Sequence, residues 1–373
     1  RGSGARDSTC AEKCSRGNLL ARFTRHFSAP PVASSVVAKQ IRIGEGWSVT
    51  GQAVLINRKQ EFPDEDYPLI LDRLLSSSDL CGNGQKKSLV RESITDCTVM
   101  DELEFYDYEL PRERIAQEPL RQRADARLLM VDRQNDRLVH SHVRNLPELL
   151  SAGDCLVIND TRVIPAQLVG YRVKTGGRWT GLFLNSDGMG RWSVLSKTRG
   201  KLAPGEQVML QDAESRDCWT LTMLSPLDEG AWAVRPDAPG DCESLLEEVG
   251  RVPLPHYIRG GHMNPADREQ YQTVYAKHPG SVAAPTAGLH FTSALLKELT
   301  DHGVNICRVT LHVGIGTFRP IKTQTLAEHQ MHSEYGVVEA AAVETIQQTQ
   351  LSGGRVIAVG TTTVRLLESA AAG

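Results

Sequence analysis

The sequence predicts an α/β protein: a discontinuous α/β main domain at 100–163 and 251–373, interrupted by a small all-β, barrel-like domain at 164–250. Three observations carry that prediction. The runs CLVI (155–158) and VIAV (356–359) are short and wholly apolar, as strands covered on both faces are, and each feeds a polar turn. Between 168 and 250 the turn signals TGG, SDGMG, APGE and DAPG recur between short stretches of strand-forming residues. The segment SALLKELTD (293–301) sets Leu295, Leu296 and Leu299 on one helical face, with Thr292 or Ser293 to cap it and Gly303 to end it.

Taken in chain order, EFYDYEL (104–110) reads as a short aromatic strand, and Pro111 then opens an arginine-studded segment. LLMVDR (128–133) and LVHSHV (138–143) read as strands, LPELLS (146–151) as a short helix, and Gly153 as the break before CLVI. A strand is expected at 304–313, followed by Gly314 and Gly316. Thr361, Thr362 and Thr363 lead from the last strand into the helix VRLLESAAA, where they suit N-cap positions. The chain ends in that helix, and the face bearing Leu366 and Leu367 is expected to need a further cover, so the C-terminus reads as truncated.

Residues 1–99 differ in character. They lack a sustained apolar period, and no acidic residue occurs from Cys14 to Gly44 while Arg16, Arg22, Arg25, Lys39 and Arg42 do. Both an organellar transit peptide and translated upstream sequence have that composition. The first residue is Arg1, and the pattern sharpens only after Met100; the preferred reading is a start-site artefact or a disordered extension.

Composition narrows the function classes. At 40% hydrophobic and 23% charged residues the chain has ordinary globular proportions, and no run approaches the ~20 apolar residues that cross a bilayer. Eight cysteines without framework spacing point to free thiols in a reducing compartment, and Cys10 and Cys14 lack the second pair a zinc site needs. The formal charge is −3, and the first 99 residues hold 14 Lys and Arg against 11 Asp and Glu, so residues 100–373 are net acidic. Global charge does not bind nucleic acid here; a clustered basic surface would have to. Two clusters qualify: Arg112, Arg114, Arg121, Arg123 and Arg127, diluted by Glu113, Glu118 and Asp125, and Lys197, Arg199 and Lys201 in the β insert.

The residues with chemical potential sit near turns. In SVAAPTAGLHFT (281–292), Pro285, Thr286, Gly288 and His290 precede the helix at 293, where free backbone N–H groups often face ligands; a satisfied cap is the plainer reading. His312 alternates with Val309, Leu311 and Val313 on the polar face of its strand, and the pattern alone favours exposure to water. His329, His332 and Glu334 have spacings a metal tolerates, a weak signal for zinc. Asn159, Asp160, Thr161 and Arg162 follow a buried strand, where α/β folds place ligand loops, although an Asx turn before Pro165 competes.

The segments INDTRVIPAQL (158–168), REQYQTVYAKHPGSVAAPTAGLHFT (268–292), VTLHVGIGTFRP (309–320), HQMHSEY (329–335) and RVIAVGTTTVRLLESAA (355–371) together resemble the S-adenosylmethionine:tRNA ribosyltransferase-isomerase family of queuosine biosynthesis. The resemblance covers essentially all of 100–373, and MDELEFYDYELP resembles the family's own beginning. It implies transfer and isomerisation of the ribosyl part of S-adenosylmethionine onto 7-aminomethyl-7-deazaguanine at the tRNA wobble position, giving epoxyqueuosine, adenine and methionine. It implies a cytoplasmic enzyme, taken as a monomer, with S-adenosylmethionine as co-substrate and with no metal, redox cofactor or membrane. Within it, His290, His312, His332 and Glu334 are the catalytic candidates. Asn159, Asp160, Thr161, Arg162, Thr286, Thr361 and Thr362 are the substrate-binding candidates, and Arg121, Arg123, Arg127, Lys197, Arg199 and Lys201 the tRNA contacts. Two positions depart from the family pattern: Gln167, commonly arginine, and Thr180, commonly glutamate. A zinc-dependent hydrolase using His329, His332 and Glu334, and an inactive RNA-binding relative, are the competing readings.

Overall fold

The computed structural model describes residues 107–318, 323, 325 and 333–371, together with the strand pieces Ile41–Arg42, Ser48–Val49 and Val54–Leu55. Ile41–Arg42 pairs antiparallel with Ser48–Val49, and Val54–Leu55 with Leu128–Leu129; the other residues of 1–99, on which the reading of that stretch as an extension falls, lie outside the described residues. The aromatic strand expected at 104–110 does not form over 107–110. Those residues have no regular structure, Tyr108 and Leu110 are exposed, and no strand among the described residues pairs with them.

A hairpin comes first, β1 (Arg127–Asp132) with β2 (Arg137–His142), and then the one-turn helix α1 (Leu146–Leu149). The strand β3 (Cys155–Asn159) is buried at every position. Its side chains alternate between two cores, which explains the unbroken apolar run: Cys155 and Val157 join one, Leu156 and Ile158 the other. The first core takes in Val309, Leu311, Ala342, Ile346, Leu366 and Leu367; the second takes in Phe291, Leu295, Leu299 and Val359.

A short strand β4 (Thr161–Val163) leads into the insert. Six strands close into a barrel in the order β7-β10-β9-β8-β5-β6: β5 (Gln167–Arg172), β6 (Arg178–Ser186), β7 (Trp192–Thr198), β8 (Gln207–Gln211), β9 (Asp217–Pro226) and β10 (Ala231–Pro236). The interior alternates as a small barrel must, with Leu168, Trp179, Phe183, Trp192, Val194, Leu210, Leu221 and Met223 inside. Edge-to-face ring contacts join Phe183 to Trp192 at 5.2 Å and Trp192 to Trp219 at 5.8 Å between centroids. Gly181 is required at its place, because a Cβ there would stand 2.3 Å from the Trp179 ring. The helix α2 (Cys242–Val249), capped by Asp241, packs on the barrel. The bridge between Gln167 and Arg251 ties the barrel's entry to the returning chain.

After α3 (Asp267–Gln270), the strand β11 (His278–Ser281) runs parallel to β4. The helix α4 (Ser293–Asp301) forms as its pattern predicts, with the Thr292 hydroxyl accepting from the Leu295 N–H at 3.1 Å. It delivers β12 (Asn305–His312), and β13 (Tyr335–Val337), α5 (Ala340–Leu351), β14 (Val356–Ala358) and α6 (Thr361–Ala371) complete the described chain. The sheet order is β13-β12-β3-β14, with β12 and β14 both parallel to β3. A buried Asp154 pins this sheet, accepting from the Arg355 N–H at 2.9 Å and from its guanidinium.

Two expectations about α6 change. Leu366 and Leu367 already lie in the core beside β3 and β12, and a Cβ at Gly336 would meet Leu366 at 2.6 Å; the helix has its apolar cover within the described residues. Thr361–Thr363 form the helix's first turn rather than its cap, since the Val364 N–H already donates to the Gly360 carbonyl.

Candidate active site

Parallel pairing of β3 with β12 and β14 brings their C-terminal ends to one edge of the sheet, where open α/β sheets hold ligands. Asn159, Thr161, His312 and Thr362 meet there. The Asn159 amide donates to the Leu311 carbonyl at 3.0 Å and to the Thr362 hydroxyl at 3.3 Å; its oxygen accepts from the Leu311 N–H at 3.0 Å and the Thr161 N–H at 3.2 Å. That exhausts its two donors and two acceptor positions. Asn159 is a knot joining three strand ends, and its bond to the Thr161 N–H is the Asx-type turn weighed beside substrate binding.

Asp160 is buried and accepts from the Thr310 hydroxyl at 2.7 Å, with the His278 ring 3.7 Å from its other oxygen. Thr161, fully buried, shares a 2.7 Å hydrogen bond with His312 Nδ1. The His312 ring stacks on Tyr335 at 5.9 Å between centroids and 15° between planes. Burial pushes its pKa below the usual histidine value, the nearby His278 adds to that, and Asp160 opposes it, so the ring is neutral at pH 7. Gly280, at φ +144°, lies across from the ring edge; a Cβ there would stand 3.0 Å from Nε2. His312 therefore does not face open water, as its strand pattern favours, but sits half-buried among polar groups at the strand ends.

The turn SVAAPTAGLHFT is a packed structure. Residues 281–285 are buried, the Ser281 hydroxyl receives the Val313 N–H at 3.0 Å, and Thr286–His290 forms a 3-10 helix. Gly288 is obligatory, since a Cβ would stand 2.1 Å from the Tyr275 hydroxyl. His290 is 8% exposed, and no hydrogen bond, ion pair or ring contact joins it to the Thr161–His312 cluster among the described residues. Burial lowers its pKa to about 4, helped by the positive charge of Arg123. Thr286 is exposed at the start of the turn, and Ala287 packs 3.3 Å from the Cβ position of Gly360.

The His290 shift has a consequence for stability. Its folded pKa lies below the unfolded 6.5, so as pH falls from 6.5 towards 4 the unfolded chain takes up a proton that the folded one refuses. Stability is then lost over that window, by about 2 kcal/mol at pH 4.5. Denaturant melts at pH 7 and pH 4.5 are expected to differ less for His290→Gln than for the parent chain. Equal pH dependence of the two would mean that the buried ring accepts protons freely.

Glu334 is 5% exposed at its side chain and fully engaged: Oε1 accepts from the Gly314 N–H at 2.9 Å, and Oε2 pairs with Arg365 at 2.5 Å. This holds the loop after β12 against α6. His329 and His332 lie outside the described residues. Arg162 is exposed and reaches Glu247 at 4.0 Å, away from the cluster, and Thr361 is exposed beside Thr362.

Among the basic candidates, Arg123 is a strut. Its guanidinium donates to the carbonyls of Gln272 at 2.6 Å, Glu269 at 3.0 Å, Gln270 at 3.4 Å and Leu289 at 3.5 Å, so its donors are spent on main chain and not offered to phosphate. Arg121 is exposed and Arg127 half-buried, whereas Lys197, Arg199 and Lys201 are all exposed on the barrel. Gln167 and Thr180 also lie on the barrel wall, Gln167 in the bridge to Arg251.

Sequence reasoning missed Tyr335, Thr310, Tyr275 and Arg365. Thr310 was legible as the i−2 neighbour of His312 on one strand face, and Arg365 as one helical turn beyond Thr361. Nothing local marks the ring stack of Tyr335 or the burial of Tyr275.

A family profile described as "Queuosine biosynthesis protein" matches residues 103–373. A protein of Symbiobacterium thermophilum is 45% identical over 269 residues, covering 72% of this chain and 77% of the relative. One from Thermosynechococcus vestitus is 47% identical over 272 residues, covering 72% and 74%. Both are named S-adenosylmethionine:tRNA ribosyltransferase-isomerase. A crystal structure of S-adenosylmethionine tRNA ribosyltransferase from Thermotoga maritima is 28% identical, covers 71% of this chain and 72% of its own, and superposes with a TM-score of 0.33. With the match spanning most of its length, and relatives this similar, the chain belongs to the queuosine biosynthesis protein family.

Proposed function

We propose that this chain is a tRNA-modifying ribosyltransferase-isomerase of queuosine biosynthesis. It moves the ribosyl unit of S-adenosylmethionine onto 7-aminomethyl-7-deazaguanine at the wobble position, giving epoxyqueuosine and releasing adenine and methionine. The observation that carries this is the match, at 42–47% identity over about 72% of the chain, to relatives bearing the ribosyltransferase-isomerase name. The strand-end cluster suits the chemistry. A sulfonium acidifies the adjoining 5′-methylene, and a neutral imidazole held by Thr161 is a fitting proton acceptor for it. Asp160 supplies negative charge beside the site for a cationic sulfur, and the hydroxyls of Thr361 and Thr362 border it for ribose.

Residues 100–163 and 251–373 then form the catalytic α/β part and 164–250 the inserted barrel, with 1–99 outside the catalytic unit. The reading takes S-adenosylmethionine as co-substrate, uses no metal or further redox cofactor, and places a monomeric enzyme in the cytoplasm. No helix among the described residues is long and apolar enough to cross a membrane. The zinc-hydrolase alternative is not favoured by the names of the relatives, and both oxygens of Glu334 are already taken.

The test is adenine release from S-adenosylmethionine, followed chromatographically, with and without precursor-bearing tRNA. Release is expected only with the precursor-bearing tRNA. Binding of that tRNA with no adenine formed would instead support the inactive RNA-binding reading.

A further inference from the structure

The barrel presents one end to solvent that the strand-end chemistry does not use. The chain enters the barrel at Gln167, bridged to Arg251, so that end adjoins the α/β part. The opposite end holds the β5–β6 turn, the β7–β8 loop and the β9–β10 turn, since β5, β7 and β9 all run towards it. The six residues of β5 put this end roughly 20 Å from the entry at ~3.3 Å per residue.

Five cations gather on one side of it. Lys174 lies in the β5–β6 turn, Arg178 and Lys197 on adjacent strands beside it, and Arg199 and Lys201 in the β7–β8 loop. All five are exposed, and none makes an ion pair among the described residues. The loop is held by a cation–anion pair that is itself mostly covered. Arg172 and Glu206 are 13% and 10% exposed at their side chains and pair at 2.5 Å and 3.0 Å. The same guanidinium donates to the carbonyls of Arg199 and Lys201, each at 3.0 Å, and Glu206 also accepts from the Ala203 N–H at 3.2 Å. The Thr198 hydroxyl bonds the Arg178 carbonyl at 2.8 Å, fastening the loop's start to the neighbouring strand. Across the barrel end, the β9–β10 turn carries Asp228 and Glu229 instead. The end is thus polarised, with a braced basic half and an acidic half.

We propose that this basic half of the barrel end, Lys174, Arg178, Lys197, Arg199 and Lys201, is a phosphate-gripping surface for the tRNA at a distance from the modified base, with Arg172 and Glu206 as its positioning residues. The proposal rests on the tRNA-modifying reading above. A nucleoside bound at the strand ends cannot also reach a surface roughly 20 Å beyond the barrel's entry, but a folded polynucleotide can. Five exposed cations, none in an ion pair among the described residues, concentrate the attraction on one face of a net acidic chain, and the acidic turn opposite fixes which way a polyanion lies across it. The surface therefore contributes binding and orientation of the RNA, and not chemistry.

The experiment compares the full chain with Arg199→Glu/Lys201→Glu and with a control of equal charge change on the β1–β2 hairpin, Arg133→Glu/Arg137→Glu. Affinity for full-length unmodified tRNA is measured by fluorescence anisotropy over a series of salt concentrations, and adenine release with precursor-bearing tRNA by steady-state kinetics. The loop pair is expected to weaken tRNA binding at least tenfold and to flatten the salt slope by about 1.5, as befits two lost phosphate contacts. KM for tRNA should rise with it while kcat and the affinity for S-adenosylmethionine stay put, and the hairpin control should remain within twofold of the parent. Unchanged tRNA affinity in the loop pair, or an equal loss in the control, overturns the surface. A parent chain that binds tRNA with this loop dependence but releases no adenine sinks the enzymatic reading and leaves the surface standing. A parent chain that does not bind tRNA removes both.

Discussion

His312→Ala is expected to cut adenine release about a hundredfold or more at saturating substrates, with tRNA affinity unchanged. The ring is built to present one nitrogen. Nδ1 is committed to the Thr161 hydroxyl at 2.7 Å, Tyr335 stacks on one face, and the glycine at 280 leaves the Nε2 edge uncrowded. A neutral ring held this way has a defined tautomer, set by the direction of the Thr161 bond, and burial, which lowers its pKa, favours that neutral form. Thr161→Val should therefore act through the ring, lowering kcat about tenfold, and Thr161→Ser should recover most of that loss. Normal turnover by folded His312→Ala would remove the ring from the chemistry and reduce this cluster to a polar joint between strands.

Glu334→Ala is expected to destabilise the protein by about 3–5 kcal/mol, a loss visible as a lower denaturation midpoint, because it takes the carboxylate from a mostly covered guanidinium and unpins the Gly314 loop. Glu334→Gln keeps the acceptor for the Gly314 N–H and should cost clearly less than the alanine change. An acid/base role predicts a loss of turnover in place of a loss of stability. Under it, Glu334→Gln would fold as stably as the parent and fail only in turnover. Denaturant melts of both variants beside their adenine-release rates separate the two.

The two histidines show where local reasoning stops. In the sequence His290 stands out, in a glycine-containing turn before a helix, whereas His312 looks like a solvent-facing strand residue. The fold gives them other surroundings: His290 is buried near Arg123, while His312 meets Thr161 and Tyr335. Arg123 misleads for the same reason. Its charge suggests phosphate, but four carbonyls from 269–272 and 289 surround its guanidinium, and carbonyls carry no mark in a sequence.

What the sequence by itself determined are the features with short range. The apolar runs of β3 and β14, the alternation along β12, the cap and stop of α4 and the turn signals of the barrel strands depend on residues within a few positions of each other, so composition and period express them. The long motifs likewise placed 100–373 in its family before any contact was known. Tertiary structure alone decided which polar residues share a site. The bonds from Thr161 to His312, Asn159 to Leu311 and Asp160 to Thr310 span about 150 positions, with the whole barrel between their ends. They exist because β12 lies parallel to β3 in one register, Val309 opposite Asn159, and register is set by packing on both faces of the sheet rather than by any residue read in isolation.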